Sequence, residues 1–175
     1  DPYLCFKLGY SIFSLIDIGK FKLESNIHIY INYSKKVILD NLESEMEGGG
    51  VRTLILNFKK NKPNIDIYFG EIEDNIFESF VNKHLELSGK KTKSNESWNL
   101  MKEMIQKSEA ILLAHKENYV LFHTSKKYSY YGVNACTKKS TIVSYLLYEG
   151  IKFLIKNKCE FIHFGIYHKY YEDEK

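Results

Sequence analysis

The side chains of this sequence that could do chemistry near neutral pH gather in its last third. His163 stands in the run Phe161-Ile-His-Phe-Gly165, and a histidine there can move protons near pH 7. Tyr130 and Tyr131 are neighbours in Lys127–Asn134; on a strand they face opposite sides, so one of them can line a cleft. From Asn134 a polar connector, Asn134-Ala-Cys-Thr-Lys-Lys-Ser140, leads into an apolar helical pattern. A helix starting there offers free N–H groups and a positive dipole end, with Lys138 and Lys139 beside it. Glu149 lies on the polar side of that helix, near Lys152. Such groups suit acyl transfer to an amine, in which backbone amides hold the donor, a base or water takes the amine proton and dipoles stabilise the tetrahedral oxyanion. Plainer readings stand beside these: Glu149 and Lys152 as an exposed ion pair, His163 as a satisfied sheet histidine, and most tyrosines as core or amphipathic surface. Cys136 could be a nucleophile, but nothing places a base next to it. No Ser–His–Asp arrangement and no metal-ligand cluster is visible, so direct transfer without a metal is expected.

The elements that must position these groups follow from periodicity. Ala110–His115, Asn118–Thr124 and Lys127–Asn134 are β-branched or aromatic runs separated by Lys116-Glu117 and Ser125-Lys126, which predicts an antiparallel meander. Ser140 and Thr141 offer hydroxyl caps for a helix to about Asn157, with Ile142, Val143, Leu146, Leu147, Ile151 and Leu154 on its apolar face. Cys159–Gly165 reads as a buried strand, and a strand–helix–strand crossover places its strands parallel and side by side.

Upstream, Asp74 can cap a helix over Asn75 to about Leu87 that Gly89 stops. Lys90, Lys91 and Lys93 form a basic turn before a second helix, Asn95–Lys107, with Trp98, Leu100, Met101, Met104 and Ile105 inward. Residues 65–70 read as a strand after a turn at Pro63. Residues 51–60 fit helix and strand alike. Earlier still, the pattern predicts a helix from Ser34 that Gly48-Gly49-Gly50 ends, a strand over Asn26–Tyr33 with His28 solvated, and two strands over 3–8 and 12–18. The fold class is α/β (α+β): a mixed sheet in which an antiparallel meander is followed by a parallel strand–helix–strand unit.

A chain of 175 residues with 44% hydrophobic and 15% aromatic residues suits one domain with a real core. The net charge of +3 rests almost wholly on lysine, Arg52 being the sole arginine, which argues against DNA as a partner. Three cysteines, Cys5, Cys136 and Cys159, form an odd number without metal spacing and predict reduced thiols in a cytoplasmic protein. No apolar run approaches the roughly 20 residues of a membrane span, so no integral membrane segment is expected.

Ordered motifs carry a family resemblance over roughly residues 72–167. His84-Leu-Glu-Leu-Ser-Gly-Lys-Lys-Thr-Lys-Ser-Asn-Glu-Ser-Trp98 resembles the His, Gly-Arg-x-Thr-Arg, Glu-Ser-Trp pattern of bacterial FemAB-like proteins. Tyr130-Tyr131-Gly132-Val133, Leu147-Tyr148-Glu149-Gly150-Ile151 and Phe161-Ile-His-Phe-Gly165 resemble that family's Tyr-Tyr-Gly, Leu-Trp-Glu-Ala-Ile and Phe-Asp-x-Gly segments. The resemblance implies an acyl or aminoacyl transferase of the GNAT fold, one domain over 1–175 whose N-terminal part, 1–70, lies outside the matched motifs, and a helix at 51–60. It implies catalytic roles for Glu149, His163 and Tyr131, and substrate-binding roles for His84, Lys91, Tyr130, Asn134, Lys138 and Ser140. His84 as helix-end packing and Lys91 as a solvated lysine are the plainer readings. His163 replaces the family's Asp, which weakens a carboxylate-based role.

The family's final Phe-Lys-x-x-Phe-Gly segment is missing, so a C-terminal truncation is expected. The glycine-rich pyrophosphate loop of acetyl-CoA enzymes is also missing between Asn134 and Ser140, which favours aminoacyl-tRNA or another activated acyl donor, such as a different acyl-CoA. The implied acceptor is an amine of a cell-envelope precursor, a glycan precursor or a nucleotide-linked sugar. Two alternatives stand: an acetyl-CoA-dependent N-acetyltransferase, and a catalytically silent module that binds a partner.

Overall fold

The computed structural model describes residues 31–36, 49–125, 127–137 and 140–167. The expected strands at 3–8 and 12–18, His28, the helix expected over 37–46, Lys138 and Lys139 lie outside the described residues. Among the described residues six strands, β1 (Ile31–Lys36), β2 (Asp66–Tyr68), β3 (Ala110–His115), β4 (Asn118–Ser125), β5 (Tyr128–Ala135) and β6 (Phe161–Tyr167), form one sheet in the order β1-β6-β5-β4-β3-β2. The described helices are α1 (Gly49–Asn61), α2 (Asp74–Ser88), α3 (Asn95–Gln106) and α4 (Ile142–Lys156).

The meander β3–β4–β5 is antiparallel throughout, and β5 and β6 are parallel neighbours joined across α4. The mixed sheet expected from the sequence is the one observed. Residues 51–60 are helical, within α1.

The core lies in two layers, because the central strands are apolar on both faces. On one side Ile111, Leu113, Val120, Phe122 and Ile162 meet Ile142, Leu146, Ile151 and Leu154 of α4 and Ile55 of α1. On the other, Leu112, Tyr119, Leu121 and Val133 meet Phe77 and Phe80 of α2 and Trp98, Met101 and Ile105 of α3. Each such large side chain, fully buried, contributes about 1.5–3 kcal/mol. Gly150 lets α4 sit close to the sheet: a Cβ there would come within 2.5 Å of Phe122 Cε2 and 3.1 Å of Leu113 Cδ1.

The structure corrects four local expectations. Ser34–Lys36 are strand, paired with β6, rather than the start of a helix; the alternating pattern before them continues past Tyr33. Gly49 and Gly50 are themselves helical, within α1, rather than a helix stop. Asp74 is not the cap of α2: Glu73 holds the extended cap position without a side-chain bond, and the Asp74 carboxylate accepts from Lys102 Nζ at 2.7 Å, tying α2 to α3. Thr141 precedes α4 with helical angles, φ −77° and ψ −11°, and its side chain makes no capping bond, since a cap needs an extended backbone to aim its oxygen at the free amides. Ser94, by contrast, is extended and accepts from Ser97 N at 3.2 Å at the start of α3. Gly89 ends α2 in the left-handed conformation, φ 65°, as expected of it.

Candidate functional site

The sheet opens beside a bulge. Leu121 pairs with Val133 and Phe122 with Tyr131, so Gly132 is an extra residue in β5. A Cβ at Gly132 would lie 2.5 Å from His123 Nε2 and 2.7 Å from its Cδ2; only glycine lets this histidine pack beneath the strand. β5 and β6 are paired from Tyr128–Phe161 to Tyr130–His163. Beyond that point β5 follows β4 as far as Ala135, while β6 follows β1 as far as Tyr167. The two parallel strands therefore part at Tyr130 and His163, and the backbone of the last five residues of β5 edges the gap.

Two groups of side chains flank this parting, one on each face. On the α4 face Tyr131 packs its ring 5.7 Å from Phe122 and its hydroxyl oxygen accepts from Asn134 Nδ2. Burial raises the Tyr131 pKa above the ordinary phenol value, which keeps the group protonated. Ser140 is half-buried, its amide bonded to Thr137 O at 2.8 Å, and leads into the first turn of α4. Cys136 donates its thiol to Tyr119 O at 3.3 Å, and burial pushes its pKa up; a thiol so held is a poor nucleophile.

On the α2–α3 face the Tyr130 ring stacks on His123, centroids 6.3 Å apart at 20°. His123 is 3% exposed. Burial first, and the Lys93 charge second, bring its pKa down to about 3, so the imidazole is neutral at physiological pH. Lys93 also lowers the pKa of His84, after burial. One lysine of the basic turn thus acts on both histidines.

His84, Lys91 and Trp98 of the upstream motif line one pocket of about 190 Å³ between α2, α3 and their turn. The His84 and Trp98 rings meet edge to face, 5.1 Å apart. Phe80 packs the same way at 5.5 Å and fixes the indole from behind.

Glu149 lies apart from both groups. It accepts from Lys152 Nζ at 2.8 and 2.9 Å, and the pKa of the Tyr145 hydroxyl is pushed up to about 12 by burial and then by this carboxylate. Lys152 Nζ and Lys59 Nζ sit 5.1 and 5.0 Å from the Tyr148 ring centroid, and Phe58 of α1 stacks on Tyr145 at 5.3 Å. Glu149 therefore belongs to a clasp between α1 and α4, with its side chain 21% exposed.

The structure thus brings Tyr131 and Asn134 together on one face of the parting strands, seats Tyr130 on the other, and gathers His84 and Lys91 at a separate pocket. The His163 backbone pairs with Tyr130 on one side and Ser34 on the other, at the last rung before the strands part. His123 was not among the residues expected at a site. Its signal was faint: a glycine two positions after a tyrosine in mid-strand marks a bulge, but which cross-strand residue fills the missing Cβ depends on register. Among the described residues no His/Cys/Asp/Glu group could hold a metal ion, and no helix is long and apolar enough to cross a membrane.

No protein-family model and no curated protein matches this sequence. Among solved structures the chain resembles L-PGS from Bacillus licheniformis, with a TM-score of 0.53 over 78% of the chain. The two share a fold. Identity with L-PGS is 14%, and the chain spans 48% of its length.

Proposed function

We propose that the protein is a transferase that moves an acyl or aminoacyl group from an activated donor directly onto an amine, as the FemAB-like motifs imply. The observation that carries this reading is the parting of β5 and β6 at the Gly132 bulge, beside the start of α4, on a fold shared with L-PGS. Parting strands leave main-chain N–H and C=O groups that an extended donor can pair with, much as an added strand would.

In this reading the acceptor amine attacks the donor carbonyl carbon, the carbonyl oxygen takes the negative charge and accepts from backbone N–H groups, and the C–O or C–S bond to the leaving group then breaks. Tyr131, a neutral phenol whose oxygen already accepts from Asn134, supplies the proton to the departing oxygen or sulfur. Water in the gap takes the proton lost by the amine. Asn134 and Ser140 position the donor, and the motif resemblance assigns Lys138 to the same task. The protonated, hydrogen-bonded state of Cys136 supports a route without an acyl-enzyme.

The donor favoured is an aminoacyl-tRNA or an acyl-CoA other than acetyl-CoA, and the acceptor an amine of an envelope or glycan precursor. The full chain should transfer label from one of a panel of charged tRNAs or acyl-CoAs to amine acceptors, and Tyr131→Phe should lower the rate about 10²-fold, within the range for a general acid. Acetyl-CoA should show no tight, saturable binding in calorimetry. Micromolar binding would instead make this an acetyl-CoA enzyme, and no transfer from any donor would leave the silent-module reading.

A further inference from the structure

The pocket between α2 and α3 has a composition that the transfer reaction does not use. Part of its lining is apolar: Val81, Leu85 and the Trp98 indole. Leu85 is 46% exposed, a large aliphatic group left at an open rim. The rest is polar and basic, Lys90, Lys91 and Thr92 from the turn, with Asn95 at the first position of α3. Between Ser88 and Trp98 the chain carries three lysines against one carboxylate, Glu96. Glu96 is held ionised chiefly by its bond with Ser94, and feels Lys91 only weakly. Among the described residues Lys90, Lys91 and Lys93 form no ion pair, whereas Lys83 and Lys102 nearby are both bridged to carboxylates. His84, in the wall, is kept toward its neutral form by burial, so its ring can donate or accept a hydrogen bond.

Volume narrows the choice of ligand. A cavity of about 150 Å³ holds a benzene ring, so a pocket of about 190 Å³ takes one aromatic or branched aliphatic group with a small head group at the mouth. We propose that this pocket is a binding site for a small amphipathic anion: a carboxylate or phosphate monoester bearing one aromatic or branched aliphatic group. The apolar body lies on Trp98, Val81 and Leu85, and the anionic head meets Lys90 and Lys91. The site does not depend on the transferase reading, since it is formed by α2, α3 and their turn rather than by the parting strands.

Trp98 is the only tryptophan in the chain and so reports occupancy directly. The full chain is titrated with phenyl phosphate, phenylacetate, neutral phenylacetamide and inorganic phosphate, following Trp98 fluorescence, with calorimetry as the second readout. Phenyl phosphate or phenylacetate should give a saturable change, and the tighter of the two identifies the head group. Phenylacetamide and inorganic phosphate should each bind about tenfold more weakly or worse, because each lacks one half of the recognition. Lys90→Gln/Lys91→Gln should weaken the anion about tenfold to a hundredfold, the range for losing charge-assisted hydrogen bonds; both side chains are exposed, and an unchanged melting temperature confirms that the variant is folded. No saturable change with either aromatic anion, equal affinity for phenylacetamide, equal affinity for inorganic phosphate, or an unaltered affinity in the double variant would each overturn the proposal.

Discussion

His123 makes the pH response of this protein readable at a single residue. Its folded pKa, about 3, lies below the ordinary 6.5, so between those values the unfolded chain binds a proton that the native chain does not. Stability from this group is complete above pH 6.5 and drains away as pH falls toward 3. From pH 7 to pH 4.5 the loss should be on the order of 2–3 kcal/mol. Urea midpoints at those two pH values should therefore differ more for the native sequence than for His123→Gln; equal differences would mean that burial does not hold the imidazole neutral. Glu149 poses the opposite question. A carboxylate that orients an acceptor would, when made an amide, cost about 10²-fold in turnover. The clasp with Tyr145 and Lys152 argues instead that Glu149→Gln lowers stability by about 1 kcal/mol, a fall in melting temperature of roughly 2–4 °C, and leaves turnover alone. Both quantities measured on the one variant decide between these roles.

The contact between α4 and the sheet sets what each element tolerates. Replacing a helical glycine by alanine ordinarily gains about 1 kcal/mol. At Gly150 the added methyl would press on Phe122 and Leu113, both fully buried, and overpacking of that kind costs about 1–3 kcal/mol. Gly150→Ala should thus be net destabilising in chemical denaturation, and Phe122→Leu in the same chain should recover part of the loss; simple additivity of the two changes would show that the helix shifts instead. Such close approaches explain which elements were legible beforehand. β3, β4 and β5 were readable to within about a residue, because short apolar runs between polar pairs encode a meander locally. α2 and α3 were readable for a similar reason, a helical apolar period with Gly89 between them. The helical state of Gly49 and Gly50 was not, since two glycines argue against helix on propensity, whereas Ile55 and Phe58 further along α1 pack into the core. The missing cap at Thr141 depends on one backbone angle. The histidine beneath Gly132 depends on cross-strand register, which residue types alone do not carry.

At the scale of the whole molecule, the fold class was legible because a meander followed by a crossover helix admits few arrangements. The parting of β5 and β6 was not, because it arises where two strands choose different partners, β4 for one and β1 for the other. That division also sets the order in which the chain can assemble. β3, β4 and β5 are joined by tight turns, so their pairing closes short loops. β1 and β6 come from opposite ends of the described chain, and their pairing must close nearly all of it; chain entropy penalises that step most. The meander should therefore form the early, locally zipped nucleus, and β1 should dock last. In refolding followed by pulsed hydrogen exchange, amides of Leu112, Leu121 and Val133 should become protected before those of Asn32 and Lys35. Simultaneous protection would instead indicate that both ends join in one concerted step. If docking is last, β1 is also the first part of the sheet to leave. The edge of β6 that it covers then opens at a fraction of the free energy of global unfolding, giving the molecule a soft seam beside a rigid centre.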